Sequence, residues 1–258
     1  MIRRDYQDTD GTACWLLVTQ PEHARLAGEL AEHWGAGTVA PLVSPAELLP
    51  AVYHHDDGWS DWEQHPTLDP EHGRPRSFTE MPLERSLEIW QHSIDVADTI
   101  GPLAAWTVSG HFSYLLHYAL PDQAQGAEHR PAIEAFLARQ TADRDRWLAA
   151  WQSADPQHHT LAAAEQAQAQ LRLFDALSLW FCVRPREQPE TFELPGGGQL
   201  RLTPEPDNRV AMSPWPYDQP SLEVAISGRL VPEAEYTSSA QLLQATRGTR
   251  TLSWHLHG

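Results

Sequence analysis

Apolar residues recur at helical spacing along most of the first 183 residues of the chain. Apolar positions three, four and seven residues apart lie on one face of an amphipathic helix. The pattern predicts helices over residues 21–35, 44–59, 81–101, 102–120, 131–151 and 161–183. Before them, two short apolar runs flank the turn sequence "DTDG", which predicts a β-hairpin at the start of the chain.

The pattern changes after Val183, where proline and glycine become frequent and the apolar runs become short and alternating. Such a segment is typical of strands joined by turns. We therefore expect a mainly α fold, a helical bundle with a small β-rich portion built from the C-terminal segment and the N-terminal strands. Residues 1–185 would form the helical domain with its hairpin, and residues 186–258 would pack on it and pair with the N-terminal strands.

Composition removes several kinds of chemistry. The 258 residues are 41% hydrophobic, which suits a globular fold, and all 18 basic residues are arginine. Without lysine there is no Schiff base, no P-loop lysine and no Ser-Lys nucleophile pair. Only Cys14 and Cys182 are present, too few for a disulfide framework or a cysteine-based zinc site.

Charge and hydropathy restrict the kinds of molecule that the protein is expected to bind. No apolar run is long enough to span a membrane, and the N-terminus lacks the apolar core of a signal peptide, so we expect no membrane interaction and a cytoplasmic address. The net charge is −17 with no basic cluster, which argues against nucleic acid as a partner. The expected partner is a small-molecule substrate, and the oligomeric state stays open.

Helical spacing predicts which of the 14 histidines and which of the many carboxylates face the core. Five polar residues share rows with leucine, tryptophan, phenylalanine or alanine and are predicted to face inward: His23, His55, Asp56, His111 and Asp175. A single histidine on an apolar face is more often a hydrogen-bonded core residue than a ligand. Five such groups together are costly to bury without a compensating cation. Imidazole and carboxylate suit a divalent Fe, Mn, Zn, Co or Ni ion.

Other polar residues fall on solvated rows. His54 and His92 are predicted to face away from the five inward residues. Asp57 directly follows the His55-Asp56 pair and is open to two interpretations, a catalytic group that orients the attacking water or an exposed acid at a helix end.

The order of the inward residues resembles the HD-domain metalloprotein superfamily. Its pattern is a histidine, an adjacent His-Asp pair and a distant aspartate on a helical bundle, and "HDDG" is similar to its HD-x-G form. The resemblance covers roughly residues 15–183. It implies an HD-like bundle in which His23, His55, Asp56 and Asp175 hold the metal and His111 is a fifth ligand or a general base.

A resemblance over nearly the whole length points to the bacterial domain-of-unknown-function family 3891. Five blocks carry it: "TQPEHARLAGELAEHWG", "HDDGWSDWE", "VSGH", "LFDALSLWFC" and "SPWPYDQPSLEVAISGR". This family implies no particular reaction.

Three functions follow from the HD resemblance. The first is a metal-dependent hydrolase of a small phosphoester-like substrate, with Asp57 and His111 as catalytic residues. The second is an HD-type iron oxygenase acting on a small organic substrate, for which Trp34, Trp59 and Trp62 would shield the pocket. The third is a non-catalytic metal-stabilised or ligand-sensing protein.

Two features depart from the HD pattern. HD proteins with two metals usually carry further histidines, whereas here His111 alone passes the spacing test and His92 and His117 are weak candidates. A basic group for the phosphate would have to be an arginine such as Arg25, Arg74 or Arg76.

Overall fold

The computed structural model describes residues 1–119, 128–183 and 187–258, with the side chains of residues 118 and 119 left aside. Its α-helices are α1 (Gln20–Glu32), α2 (Pro45–His54), α3 (Ser60–Gln64), α4 (Leu83–Ile100), α5 (Pro102–Tyr114), α6 (Arg130–Ala154), α7 (Leu161–Cys182) and α8 (Ser239–Gln244). Short 3-10 helices span Asp57–Trp59 and Phe78–Glu80, and a π-helix, Leu115–Ala119, continues α5.

Most of the strands come from the two ends of the chain, and two short strands lie between α3 and α4. They are β1 (Ile2–Gln7), β2 (Ala13–Val18), β3 (Leu68–Asp69), β4 (Arg74–Pro75), β5 (Glu190–Glu193), β6 (Gln199–Glu205), β7 (Arg209–Ser213), β8 (Ser221–Pro232) and β9 (Thr249–His257). Seven of them form one sheet in the order β1-β2-β8-β9-β7-β6-β5, and β3 pairs with β4 separately. Within the large sheet, β7 and β9 are parallel and the other neighbours are antiparallel.

The predicted pairing between the two ends of the chain is confirmed. The β1–β2 hairpin joins the C-terminal strands because Cys14 of β2 pairs with Pro232 of β8. The expectation of a mainly α fold with a small β-rich portion is wrong in its proportions: a seven-stranded sheet makes the fold mixed α/β. The sheet is larger than expected because the C-terminal segment contributes five strands to it, β5 to β9. The proposed boundary between residues 185 and 186 falls outside the described residues and stays a prediction.

The six long helical segments are confirmed with altered ends. The first begins at Gln20, capped by the Thr19 hydroxyl, and stops at Glu32 instead of Gly35. The last residue of the segment predicted as 102–120 lies outside the described residues. In the described ranges no helix combines the length and the apolar character needed to cross a membrane.

Helix α2 departs most from the expectation. Ser44 and Glu47 have the spacing of a capping box, but Ser44 has a φ of 42° and its side chain does not cap the helix. Pro50 lies inside the helix, which ends at His54, and the chain then turns into the 3-10 helix Asp57–Trp59.

Helix α1 lies between the sheet and the other helices. It contacts β8 on one side and α2 and α7 on the other, while α5 contacts α2, α4, α6 and α7. One continuous apolar core runs through these contacts and includes fully buried residues such as Leu26, Leu48, Phe112 and Phe174. The inward rows of α1, α2, α5 and α7 therefore meet in the middle of the bundle.

Candidate metal centre

Four helical elements bring the five inward residues together. We call them the His-Asp cluster: His23 of α1, His55 and Asp56 after α2, His111 of α5 and Asp175 of α7. His23 Nε2 lies 3.0 Å from Asp175 Oδ1 and 3.7 Å from Asp56 Oδ2. His55 Nε2 lies 3.5 Å from Asp175 Oδ1 and 3.6 Å from Asp56 Oδ2. The predicted convergence is confirmed, although the residues are up to 152 positions apart.

The cluster lies almost entirely out of contact with solvent. His23 and His55 are 0% exposed, His111 is 2% exposed and Asp56 is 4% exposed. Asp175 is partly buried, with 15% of its side chain exposed. Burying this many polar groups at one point costs free energy unless they are paired or hold a cation.

Hydrogen bonds behind the rings orient His23 and His55. His55 Nδ1 lies 2.7 Å from the Val52 carbonyl oxygen, which only accepts, so Nδ1 carries the hydrogen. Ser178 Oγ donates to the Asp175 carbonyl oxygen at 2.9 Å and therefore accepts from His23 Nδ1 at 2.6 Å. Whenever either ring is neutral, its lone pair is therefore on Nε2, which points at the carboxylates. Such rear hydrogen bonds are the usual support of metal-binding histidines.

The pKa values reflect the crowding of charge. Burial alone would lower the pKa of His55, but the charges of Asp56 and Asp175 outweigh it and raise this pKa to about 9. Burial raises the pKa of Asp56. Burial would also raise the pKa of Asp175, yet His111, His23 and His55 together hold it well below its usual value. The cluster thus favours a positive charge at its centre.

His111 differs from the other two histidines of the cluster. Burial lowers its pKa to about 4, against the opposing charge of Asp175, so the ring is neutral near pH 7. Its Nδ1 is buried and has no hydrogen-bond partner among the described residues. One nitrogen of His111 lies within 4.8 Å of ligand atoms of His55 and Asp175.

The spacing of these atoms fits one metal ion. Nitrogen and oxygen ligands at about 2.0 to 2.2 Å from a metal lie roughly 3.0 to 3.5 Å from their neighbours in tetrahedral or octahedral geometry. The four distances from the Nε2 atoms of His23 and His55 to the carboxylate oxygens of Asp56 and Asp175 run from 3.0 to 3.7 Å. His55 Nε2 is buried and makes no hydrogen bond to any described residue. The cluster could therefore hold a metal ion.

The turn after α2 lets adjacent residues share the cluster. At Asp56 the chain leaves the α-helical conformation, with φ −114° and ψ 16°, and Gly58 then packs on α4. The Gly58 amide donates to Ser93 Oγ at 3.0 Å, and a Cβ on Gly58 would lie only 2.4 Å from the Ser93 amide nitrogen. The glycine of "HDDG" is thus required by close backbone contact.

The residues predicted to face away do so. His54 has 51% of its side chain exposed and lies 2.8 Å from Asp57 Oδ2 through its Nδ1. His92 is exposed on α4. Asp57 pairs with His54 at the surface and does not join the His-Asp cluster. The structure therefore supports the interpretation of Asp57 as an acid at a helix end, and a catalytic role for it stays a prediction.

Two cavities reach the cluster. The first, which we call the aromatic cavity, has a volume of about 240 Å³. Its lining consists of Gln20, Asp56, Trp59, Phe78, Thr79, Ser86, Trp90, His111, Phe112, Leu115, Asp175 and Leu179. The second, the Arg172 groove, has a volume of about 470 Å³ and also includes His111 and Asp175. A small molecule in either cavity can therefore approach the cluster.

The arginines predicted to bind phosphate are engaged elsewhere. Arg25 donates to Glu22 at 2.9 Å, and Arg74 donates to Glu80 at 2.9 Å. Arg76 donates to the Glu80 carbonyl oxygen at 2.7 Å. These contacts fix the three guanidinium groups in surface and loop structure instead of in the cavities.

Sequence reasoning missed three residues near the cluster. Arg172 lines the groove one helical turn before Asp175, and its guanidinium carbon lies 4.4 Å from the centre of the Tyr114 ring. Ser178 lies one helical turn after Asp175, a spacing that could have suggested a second hydrogen-bonding group on the inward row of α7. Gln20 precedes the apolar row of α1 and carried no signal.

Comparison with known proteins places the chain in one family. It belongs to the family described as "Protein of unknown function (DUF3891)", whose sequence profile matches residues 1–233. No curated protein and no solved structure matches the chain. The family resemblance is confirmed, whereas the comparisons lend no support to the HD resemblance.

Proposed function

We propose that this member of the family is a metal-dependent hydrolase of a small phosphoester-like substrate. One divalent ion would be held by His23, His55, Asp56 and Asp175. The observation that carries the proposal is that the Nε2 atoms of His23 and His55 each lie 3.0 to 3.7 Å from a carboxylate oxygen of both Asp56 and Asp175. A divalent ion between them would displace the proton that His55 otherwise carries and would then be bound by four acceptors.

We propose in addition that the metal site is of the HD type. The four proposed ligands follow the HD order along the chain and lie on α1, directly after α2 and on α7. This order and the close packing of Gly58 against α4 are consistent with an HD-type site. A bound divalent ion would lower the pKa of a coordinated water and polarise the scissile phosphoester. The residues around the cluster would supply the remaining parts of the reaction.

His111 would act on the attacking water. It is neutral, it lies beside His55 and Asp175, and it lines both cavities. It would accept a proton as the water oxygen bonds to phosphorus, and it would return a proton to the leaving oxygen as the phosphorus–oxygen bond breaks. The alternative role of His111 as a fifth ligand is compatible with the same position.

Arg172 would bind the phosphate. Its guanidinium lines the groove that includes His111 and Asp175, and a planar guanidinium suits the oxygens of a phosphate. Arg172→Gln should raise KM for a phosphomonoester more than it lowers kcat, because it removes binding that is common to the ground state and the transition state. Arg76→Gln serves as a control because Arg76 is held by backbone carbonyls of a loop.

A second candidate function is an iron-dependent oxygenase of a small organic substrate. The observation in its favour is the aromatic lining of the first cavity, which includes Trp59, Trp90 and Phe112. Apolar pockets of this kind suit organic molecules and exclude water. A non-catalytic, metal-stabilised protein is favoured less, because structural sites are closed whereas two cavities reach this cluster.

The test combines metal analysis with two assays on protein purified without chelator. We expect a bound divalent ion and release of inorganic phosphate from phenyl phosphate, with loss of both in Asp56→Ala. Oxygen consumption with an aromatic substrate, together with iron as the bound metal and no phosphate release, would instead establish the oxygenase. Absence of any bound metal would refute both enzyme proposals.

A further inference from the structure

Two side chains that line the aromatic cavity each carry a buried polar atom without a hydrogen-bond partner among the described residues. Gln20 Oε1 and Trp59 Nε1 have no hydrogen-bond partner among the described residues. Gln20 is 4% exposed and Trp59 is 2% exposed, and both residues line this cavity. Leaving a buried polar group without a hydrogen bond is unfavourable, so native structures rarely keep one without a reason. An unpaired acceptor and an unpaired donor on two side chains that line the same small cavity indicate a ligand that would satisfy both.

The rest of the lining specifies the shape and polarity of that ligand. Trp90 and Phe112 stack with ring centroids 5.3 Å apart and an interplanar angle of 17°, which gives the cavity a flat aromatic wall. Trp59 is held edge-on by Trp62, with centroids 5.6 Å apart. These rings are fixed by packing and leave a space suited to another planar group.

Size sets an upper limit on the occupant. An apolar cavity of about 150 Å³ is large enough to bind benzene. The aromatic cavity, at about 240 Å³, can hold one substituted six-membered ring or a small fused ring. Because Asp56, His111 and Asp175 lie in the same lining, a substituent of such a ring would reach the His-Asp cluster.

We propose that the aromatic cavity binds the organic group of the substrate, a planar aromatic group with one hydrogen-bond donor for Gln20 and one acceptor for Trp59. This inference rests on the proposed function in one respect, since the phosphoester would be the substituent that reaches the cluster. The occupancy of the cavity by an aromatic group does not depend on the reaction.

Binding of benzamide to the purified full-length protein tests the cavity directly. Benzamide is planar and carries an amide donor beside a carbonyl acceptor, and a fragment of its size should bind with a Kd of about 0.1 to 10 mM. Gln20→Leu and Trp59→Phe should each weaken binding by about fivefold, the loss of one hydrogen bond. Ser86→Phe, which fills the cavity from α4, should abolish binding.

The matched control is Trp62→Phe. It makes the same change three residues along the chain, at a partly buried tryptophan that contacts Trp59 but lies outside the cavity lining. It should bind benzamide as the wild type does. Absence of benzamide binding, or equal binding by Ser86→Phe, Trp59→Phe and the wild type, would overturn the inference. A melting curve of each variant distinguishes loss of the site from loss of the fold.

A comparison of two phosphate esters separates this inference from the proposed function. Benzyl and ethyl phosphate have similar leaving alcohols, but only benzyl phosphate carries an aromatic ring. Burial of that ring should raise kcat/KM by about tenfold or more, and Ser86→Phe should remove the advantage. Equal kcat/KM for the two esters would overturn the inference and leave the hydrolase standing. Benzamide binding that depends on Trp59 and Gln20, without hydrolysis of either ester, would refute the hydrolase and leave the inference standing.

Discussion

The sequence "HHDD" contains two histidine–aspartate pairs whose environments are opposite. The inner pair, His55 and Asp56, is 0% and 4% exposed and lies among groups from α1, α5 and α7. The outer pair, His54 and Asp57, has 51% and 29% of its side chains exposed and forms an ion pair with itself at 2.8 Å. Four adjacent residues thus combine a buried candidate metal centre with an ordinary surface contact.

The two pairs differ because the backbone turns after His54 and brings them next to different side chains. Helix α2 ends at His54, and the chain enters the following turn with His55 and Asp56 directed into the bundle. The two residues of the outer pair form an ion pair at the surface, and exposed ion pairs contribute little to stability. The inner pair meets His23 and Asp175 with their acceptor atoms turned inward. Composition therefore says little about chemistry unless the burial and orientation of each side chain are known.

The largest effect is expected from Asp56→Ala. Removing this carboxylate should reduce phosphate release from phenyl phosphate to background, because the metal would lose one of four ligands. The fold should remain, as judged by the far-ultraviolet circular dichroism spectrum, because catalytic metals do not supply the folding free energy that structural zinc supplies. An unfolded Asp56→Ala would instead favour a structural role for the ion.

The next largest effect is expected from Gly58→Ala, which acts on the turn that directs the inner pair. The added methyl group would collide with the backbone of Ile89 and Ser93. We expect a loss of about 2 to 4 kcal/mol in the free energy of unfolding, measured by urea denaturation. Ser60→Ala, at an exposed position two residues later, should change it by less than about 0.5 kcal/mol. Equal stability of the two variants would contradict the packing argument.

Ser178→Ala should have an intermediate effect, and this effect should be confined to the affinity for the metal. It removes the hydroxyl that orients His23, and loss of such support typically costs about 10- to 100-fold in metal affinity. Competition with a chromophoric chelator measures this affinity. Ser113→Ala is the control, because Ser113 also donates to a helix carbonyl, that of Ser109 at 2.9 Å, but does not contact His23. A similar fall in both variants would show that the hydroxyl acts on the helices and not on His23.

The smallest effect is expected from changes to the outer pair. Asp57→Asn should alter the free energy of unfolding by less than about 0.5 kcal/mol, because the pair with His54 is exposed and screened. Its kcat for phenyl phosphate should equal that of the wild type. A large fall in kcat with an unchanged KM would restore Asp57 to the catalytic role that its position in the sequence first suggested.

The site could be predicted largely from helical spacing, and the fold only in part. Spacing on α1, α5 and α7 placed His23, His111 and Asp175 inward because each lies within a regular helix. Spacing also predicted that His55 and Asp56 face inward, although helix α2 ends at His54, directly before them. The pairing of the two ends of the chain was expected, but the strand order was not, because local alternation does not show that β9 lies between β8 and β7.

Residues whose roles depend only on three-dimensional contacts could not be predicted from the sequence. The Ser178 hydroxyl bridges the Asp175 carbonyl and His23, and the Gln20 side chain lines the aromatic cavity. Arg172 was overlooked in favour of Arg25, Arg74 and Arg76, since only the folded chain shows which guanidinium groups are engaged by carboxylates and carbonyls. Such roles require three-dimensional contacts between distant segments.

The central claim is that the inner pair, and not the outer pair, belongs to a metal centre. Metal content of wild type, Asp56→Ala and His54→Ala, purified in parallel without chelator and measured by mass spectrometry, tests it most directly. We predict about one divalent ion per chain in the wild type and in His54→Ala, and none in Asp56→Ala. Full occupancy in Asp56→Ala, loss of metal in His54→Ala, or absence of metal from the wild type would contradict the account.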